Sequence, residues 1–576
     1  MIKRIRRDGF FSLRPHGAGI VSLLCTAVFF VLYLAVFRLG YLVNDDITMI
    51  SLVSGYLGGT PVPFMNYSNV IWGFLLIPLY ATHSNLNWEI WLFILINFLS
   101  VWALVFIALS RPVHILYKLA GVLAVLACDG FFLIDITYTE IAVFAVLAGA
   151  CLILMTACSQ APLNRSLWVG GAFLILIGSL IRIEAILLVL FPVLLSVLMI
   201  YPVFNKKRLV LMFAATILGV IGCSAFDGFY VGIRYPAWYA YYRYDDARSL
   251  VFDTPRAHIE NIGDVLPDVG WTRNDYTLFI NWYFPDREVS SLSKLRYLVD
   301  HVSDSEHSLN NAIQAYFRYH HIFNARDAYP YFLVMAATWA LALLHPPLRR
   351  SIPALTVLLA GSLVLILYLV WKKNVPLHVW YSVLATIGIF GLCILAWNAN
   401  TTGPGTLTGR KVSSGVFPWL FLVMTSVAFI LALSWTSATS KENVAKQSAY
   451  QQMLSDLDSL QAEGRIAPNA LIVSPAAGIP IEWSDPLFLS WPHIQYFQME
   501  WLTFSPAYED VLRQHGARSL PAGFYEEDDI YLMTRTTLIP NVVQSIKEHE
   551  GIVVKVLPIY SNNDNAVTLY RLVRQN

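Results

Sequence analysis

The chain has 576 residues, 57% of them hydrophobic and only 13% charged, with a formal net charge of +1. That composition excludes an ordinary soluble domain, carries no basic footprint for nucleic acid, and describes a polytopic membrane protein. The six cysteines (Cys25, Cys128, Cys151, Cys158, Cys223, Cys393) all fall in or beside apolar runs, so neither a disulfide framework nor a metal-type spacing is expected.

The basic start Met1-Ile2-Lys3-Arg4-Ile5-Arg6-Arg7 precedes an apolar run at 18–43. That run is too long for a signal h-region, so it reads as a retained helix with the N-terminus in the cytoplasm. Further runs of spanning length fall near 88–109, 114–134, 138–158, 166–181, 184–203, 209–226, 329–345, 353–371, 378–397 and 415–435, eleven in all. The pieces around 166–203 leave room to merge or split. Cytoplasmic turns would then hold Arg111 and Lys118, Arg165, Lys206-Lys207-Arg208, Arg349-Arg350 and Arg410-Lys411, in accord with the positive-inside rule. An odd count sends the C-terminus outside.

Three segments on that outer side are large. Residues 44–87 carry Asn44-Asp45-Asp46, a turn-rich stretch Gly55-Tyr56-Leu57-Gly58-Gly59-Thr60-Pro61, and an apolar piece at 69–82 too short to cross, expected to lie in the interface or re-enter. Residues 227–328 form a polar, aromatic-rich insertion. Residues 436–576 have soluble composition, with a helix expected near 441–463, strands at 470–473 and 552–557, and a helix at 540–550, the pattern of a small α/β domain.

The chemistry concentrates at the outer span ends. Two carboxylates at headgroup level, Asp45 and Asp46, suit a proton, a metal ion or a sugar hydroxyl; the plainer reading is that they mark a helix end. Arg182 and the Lys372-Lys373 pair break the positive-inside pattern and suit an anionic ligand such as a lipid phosphate, with snorkelling as the alternative. In one unbroken helix Arg182 and Glu184 would point roughly 200° apart and need separate partners, for Arg182 a cavity ligand, Asp135 or Glu140. Asp129 is expected to be satisfied by helix packing. The turn Asp135-Ile136-Thr137-Tyr138-Thr139-Glu140 brings two carboxylates and an aromatic to the same face. In the insertion, tyrosines including Tyr244 surround Asp245, either as rings and acids of a carbohydrate site or as an aromatic belt. No Gly-rich phosphate loop, His-Glu-x-x-His helix or Gly-x-Ser-x-Gly elbow occurs in the sequence.

The acidic pair after the first span, the Gly-Gly-Thr-Pro-Val-Pro stretch with its short apolar helix, Arg182-Ile183-Glu184, the Lys372-to-His378 outer loop and the soluble C-terminal part together resemble the GT-C glycosyltransferases. More loosely, the chain is similar to uncharacterised bacterial membrane proteins and to glucosyltransferases that modify O-antigen. The resemblance implies an all-α polytopic membrane bundle of about eleven helices (1–435) with a small extracytoplasmic α/β domain (436–576), multi-pass in a bacterial cytoplasmic membrane. It implies inverting transfer of a hexose or pentose from a polyprenyl-phosphate sugar to an envelope glycan or lipid acceptor. Carried over, Asp45 or Asp46 is the general base, or the ligand of a divalent cation (Mg or Mn) if one is used. Asp135, Glu140, Arg182, Glu184, Lys372, Lys373, His378, Tyr244 and Asp245 are the substrate-binding candidates. The chain departs from the family in offering Lys372, Lys373 and His378 where Arg is common, and in lacking a Trp-Trp-Asp motif. A transporter or lipid flippase working through Asp129, Arg182 and Glu184, or a noncatalytic envelope-assembly protein, are the alternatives.

Overall fold

The computed structural model describes residues 15–111, 113–158, 164–200, 203–252, 262–301, 313–314, 316, 326–372, 375–401, 416–475, 478–561 and 567–575. Met1–Arg7, Lys373, Arg410 and Lys411 lie outside them. Apolar helices fall on all eleven runs: α1 (Pro15–Val36), α4 (Trp88–Ser110), α5 (Ile115–Ile134), α6 (Tyr138–Ala157), α7 (Arg165–Ile181), α8 (Glu184–Met199), α9 (Lys206–Phe229), α13 (Tyr329–Leu344), α14 (Ile352–Lys372), α15 (Leu377–Thr401) and α16 (Val416–Ala462). Among the described residues, eight spans are long and apolar enough to cross a membrane, while α7, α8 and α13 are shorter. Between them lie α2 (Asn44–Val53), α3 (Val70–Thr82), α10 (Pro236–Phe252), α11 (Arg273–Ile280) and α12 (Leu292–Asp300).

α6 is buried along nearly its whole length and forms the hub of the bundle, with α7 and α4 packed against it. The α6–α7 seam is backbone-tight because it is made of glycines. A Cβ on Gly149 would stand 2.5 Å from the Gly171 carbonyl, and one on Gly171 would stand 2.7 Å from that of Gly149. In lipid, where apolar burial gives no preference for helix over lipid, such close approach is what holds helices together.

Two element boundaries are decided by the structure. The run 174–200 breaks at Arg182, whose extended backbone (φ −153°, ψ 113°) ends α7 before α8 starts at Glu184. The loop before α3 explains the break: Asn69 N donates to Leu180 O and Ser68 Oγ to Ile181 O, both at 2.8 Å, satisfying carbonyls that a helix end leaves open. Conversely, the last span and the helix expected at 441–463 are one 47-residue helix, α16, which leaves the bundle without interruption. The short piece at 69–82 is α3, capped by Asn69 and by Asp227 at the end of α9, which accepts from Val70 N at 2.7 Å.

Beyond α16 comes an α/β unit: β3 (Leu471–Ser474), β4 (Gln495–Gln498), α17 (Pro506–Gln514), α18 (Leu520–Glu526), β5 (Ile530–Arg535), α19 (Ile539–Glu550), β6 (Val554–Ser561) and β7 (Val567–Arg574). Its mixed sheet runs β4-β3-β5-β7-β6, parallel at β4-β3-β5 and antiparallel through β7 and β6. It sits on the bundle end that carries α2. Tyr56 stacks on Trp491 (4.4 Å), and Leu489 N donates to Asn85 O at 3.0 Å. At the same end β1 (Gly40–Tyr41) pairs in parallel with β2 (Asp135–Ile136).

Candidate active site

Asp45 and Asp46 do not follow a helix end; they open α2, where carboxylates complement the helix N-terminus. Neighbouring positions on a helix point about 100° apart, and the pair is separated accordingly. Asp46 is fully buried, its Oδ1 accepting from Tyr138 N at 2.9 Å, and burial raises its carboxyl well above the usual range despite that bond. Asp45 is half-buried, and its Oδ1 accepts from the Trp501 indole N–H at 3.0 Å.

Trp501 belongs to the C-terminal unit, in the segment 499–505 between β4 and α17, so two consecutive residues of that segment meet two consecutive residues of α2. Asn44 Nδ2 donates to Glu500 Oε1, beside the Trp501–Asp45 bond. Glu500 also accepts from Gln498 Nε2 at 2.5 Å, yet its Oε2 is buried without a hydrogen-bond partner among the described residues. Burial, with Asp45 close by, drives its carboxyl well above the usual range. The segment is held from its other side as well. Tyr241 donates its hydroxyl to Trp501 O, and Arg287 Nη2 donates to Phe504 O at 3.0 Å.

From Trp501 a run of rings leads to Arg182. The indole meets Tyr67 edge-on (5.5 Å), Tyr67 stacks on Tyr138 (5.8 Å), and the Arg182 guanidinium lies over both rings, at 5.8 and 4.8 Å. Arg182 Nη1 donates to Thr139 Oγ1 at 2.9 Å, and its Nε faces Glu184 at 3.5 Å. The 200° separation holds only for an unbroken helix, and the break between α7 and α8 lets Arg182 face Glu184; Thr139, not Asp135 or Glu140, takes the other bond. The Arg182 side chain keeps 19% of its surface exposed and Glu184 60%, so the pair opens to solvent. His378, at the start of α15, lies within electrostatic reach of Arg182.

The other candidates are placed differently. Glu140 is fully buried, both its oxygens lack a hydrogen-bond partner, and Asp46, Asp135 and Asp327 lie within electrostatic reach. Asp135 caps α5 and accepts from Asn443 Nδ2 of α16 at 3.0 Å; burial raises it to about 6. Asp245 is buried in an ion pair with Arg248 (2.7 Å) and accepts from Asn66 Nδ2 at 2.6 Å, while Tyr244 packs edge-on against Phe504 (5.4 Å). These two are buried and tie α10 to its neighbours. Lys372 ends α14 with its side chain exposed, and Lys373 is not described. Asp129 is buried and accepts from Asn97 Nδ2 at 2.6 Å, as expected of a packed group.

Asp45 and Asp46 do not fit a divalent cation. Their carboxylates diverge and each already faces an N–H donor, where a metal needs converging oxygens. Among the described residues, Asp275, Glu548 and His549 do converge, all within 4.8 Å. There His549 Nε2 lies 2.7 Å from Asp275 Oδ1 and joins α19 to α11, while Asp275 Oδ2 accepts the capping bonds of Thr272.

No family model and no curated protein matches the sequence. Among solved structures, two of ArnT from Cupriavidus metallidurans align over 96% of this chain and 97% of their own. One is bound to undecaprenyl phosphate (10% identity, TM-score 0.40) and the other is in the apo state (12% identity, TM-score 0.43).

Proposed function

We propose that this protein is a membrane glycosyltransferase that moves a sugar from a polyprenyl-phosphate donor to an envelope glycan or lipid acceptor, at the outer face of a bacterial cytoplasmic membrane. One observation carries the proposal: a half-exposed carboxylate, Asp45, and a partly exposed guanidinium, Arg182, are joined by the unbroken run Trp501, Tyr67 and Tyr138 at one end of a membrane bundle. The transfer requires one group to take a proton and another to receive negative charge, with a sugar between them.

In this reading Asp45 removes the proton of the attacking acceptor hydroxyl. The new bond from that oxygen to the sugar's anomeric carbon forms as the bond to the donor phosphate breaks, which inverts the centre. Arg182 stabilises the charge left on the phosphate, with His378 beside it and Lys372 at the end of α14 as further contacts. Tyr67 and Tyr138 hold the Arg182 guanidinium against their rings and so fix its position. Asp46 acts through position, fixing the start of α2 to the start of α6 and so the direction in which Asp45 points. Glu184 orients Arg182.

The deciding experiment compares envelope glycans by mass spectrometry in a deletion strain, and in that strain complemented with wild type, Asp45→Asn or Arg182→Gln at equal expression. One sugar should vanish on deletion and return with wild type alone. Full restoration by Asp45→Asn would overturn the assignment of the base. A deletion that changes no glycan would overturn the transferase reading and favour a transporter or an assembly protein.

A further inference from the structure

The opposite end of the bundle holds a second site. α4 starts near Asp46 and, at 23 residues, carries the chain roughly 30 Å away before ending at Arg111. There an apolar cavity of about 90 Å³, room for several water-sized groups, is lined by the inner ends of α4, α5, α13, α15 and α16, with Leu104, Val125, Leu341 and Phe421 among its walls. Arg111 and Tyr117 line the same cavity.

Arg111 is 8% exposed, and its Nε and Nη2 have no hydrogen-bond partner among the described residues. The guanidinium lies over the Trp397 ring at 5.7 Å, near the Cys158 thiol, and among the described residues it makes no ion pair. The Tyr117 hydroxyl and the Trp397 indole N–H are also buried without hydrogen-bond partners among the described residues. In the first turn of α5, Lys118, 3% exposed, donates to the Leu109 carbonyl at 2.8 Å and adds a second buried cation. An uncompensated buried charge costs several kcal/mol. A group of idle donors beside it points to an acceptor-rich anion, and the apolar walls point to a chain attached to that anion.

We propose that this cavity binds an anionic lipid: its phosphate takes the donors of Arg111 and Tyr117, and its hydrocarbon enters between α4, α5 and α16. The site lies at the far end of the bundle from Asp45, so it stands whether or not the transferase reading does.

The test uses the full-length protein in detergent, with native mass spectrometry and thermal unfolding against dioleoyl phosphatidic acid, dioleoyl phosphatidylcholine and inorganic phosphate. Wild type should prefer phosphatidic acid over phosphatidylcholine by about tenfold or more, and inorganic phosphate should not displace it. Arg111→Gln should weaken the lipid by about 10- to 100-fold, and Tyr117→Phe, which removes only a hydroxyl, by about 3- to 10-fold. Arg165→Gln, an exposed charge at the same bundle end, should leave binding unchanged. Equal affinity for both lipids, competition by inorganic phosphate alone, or unchanged binding in Tyr117→Phe and Arg111→Gln would each overturn the proposal. If Arg111→Gln fails to fold, Arg111→Lys and Tyr117→Phe carry the test.

Discussion

Replacing Trp501 by Phe keeps a ring against Tyr67 and removes one hydrogen bond, the 3.0 Å indole N–H to Asp45. A donor aimed at a carboxylate favours its charged form, so without it Asp45 holds its proton to higher pH. Hydrogen bonds to charged groups contribute roughly 1.5–3 kcal/mol net, and 1.36 kcal/mol corresponds to one pKa unit, which gives an upper range of about one to two units. Asp45 is half-buried and water would replace part of the lost bond, so the expected rise is about 0.5–1 unit. A general base works only when deprotonated. The acidic limb of kcat/KM against pH should therefore move up by that amount in Trp501→Phe, with the high-pH plateau within about threefold of wild type. Trp501→Ala, which also empties the space beside Tyr67, should lower the plateau too. The assay is initial-rate sugar transfer in proteoliposomes between pH 5 and 9, once the glycan comparison has named the donor. A plateau that falls in Trp501→Phe while the acidic limb stays in place would refute the reasoning, because Trp501 would then shape the fold without acting on Asp45.

Arg182→Lys keeps a charge but loses the planar contact with Tyr67 and Tyr138; donor turnover should fall by about 10²–10³-fold with acceptor KM little changed, and turnover near wild type would remove Arg182 from the phosphate role. Glu500 bears on stability. Burial raises its carboxyl, so the folded state keeps a proton that the unfolded chain releases above about pH 4.3, and stability is lost as pH rises from there through the folded value. Glu500→Gln removes that proton equilibrium at nearly constant shape. Its Tm should decline less than that of wild type between pH 5 and 8, and parallel curves would contradict this. Gly149→Ala should destabilise by about 1–3 kcal/mol, read as a lower Tm in detergent, because the added methyl meets the Gly171 carbonyl at 2.5 Å; Gly170→Ala, where a Cβ meets nothing within 4 Å, is the matched control.

What the sequence determined by itself is everything that depends on local pattern. Apolar length placed all eleven helices, and the short run at 69–82 announced a helix that does not cross. Alternation in the tail announced the α/β unit, although its strand order could not be read, since pairing such as β5 with β7 joins residues far apart in the chain. The acidic pair was visible as carboxylates in an unusual place, but its division was not. Asp46 is fully buried, with the backbone N–H of Tyr138, 92 positions later, docked on it, and Asp45 keeps some exposure because α2 turns it the other way. The pairing of Arg182 with Glu184 was not visible because the apolar run 174–200 leaves open whether its two pieces merge, while the helix is ended by carbonyl bonds to Ser68 and Asn69, a tertiary event without local signal. Glu500 and Trp501 went unnoticed for the same reason. One glutamate and one tryptophan in a soluble segment look ordinary until α16 carries the C-terminal unit onto the bundle and sets them against Asn44 and Asp45. Periodicity and hydropathy are properties of neighbouring residues, so they fix the elements. A site assembled from five distant segments is fixed only by how those elements pack.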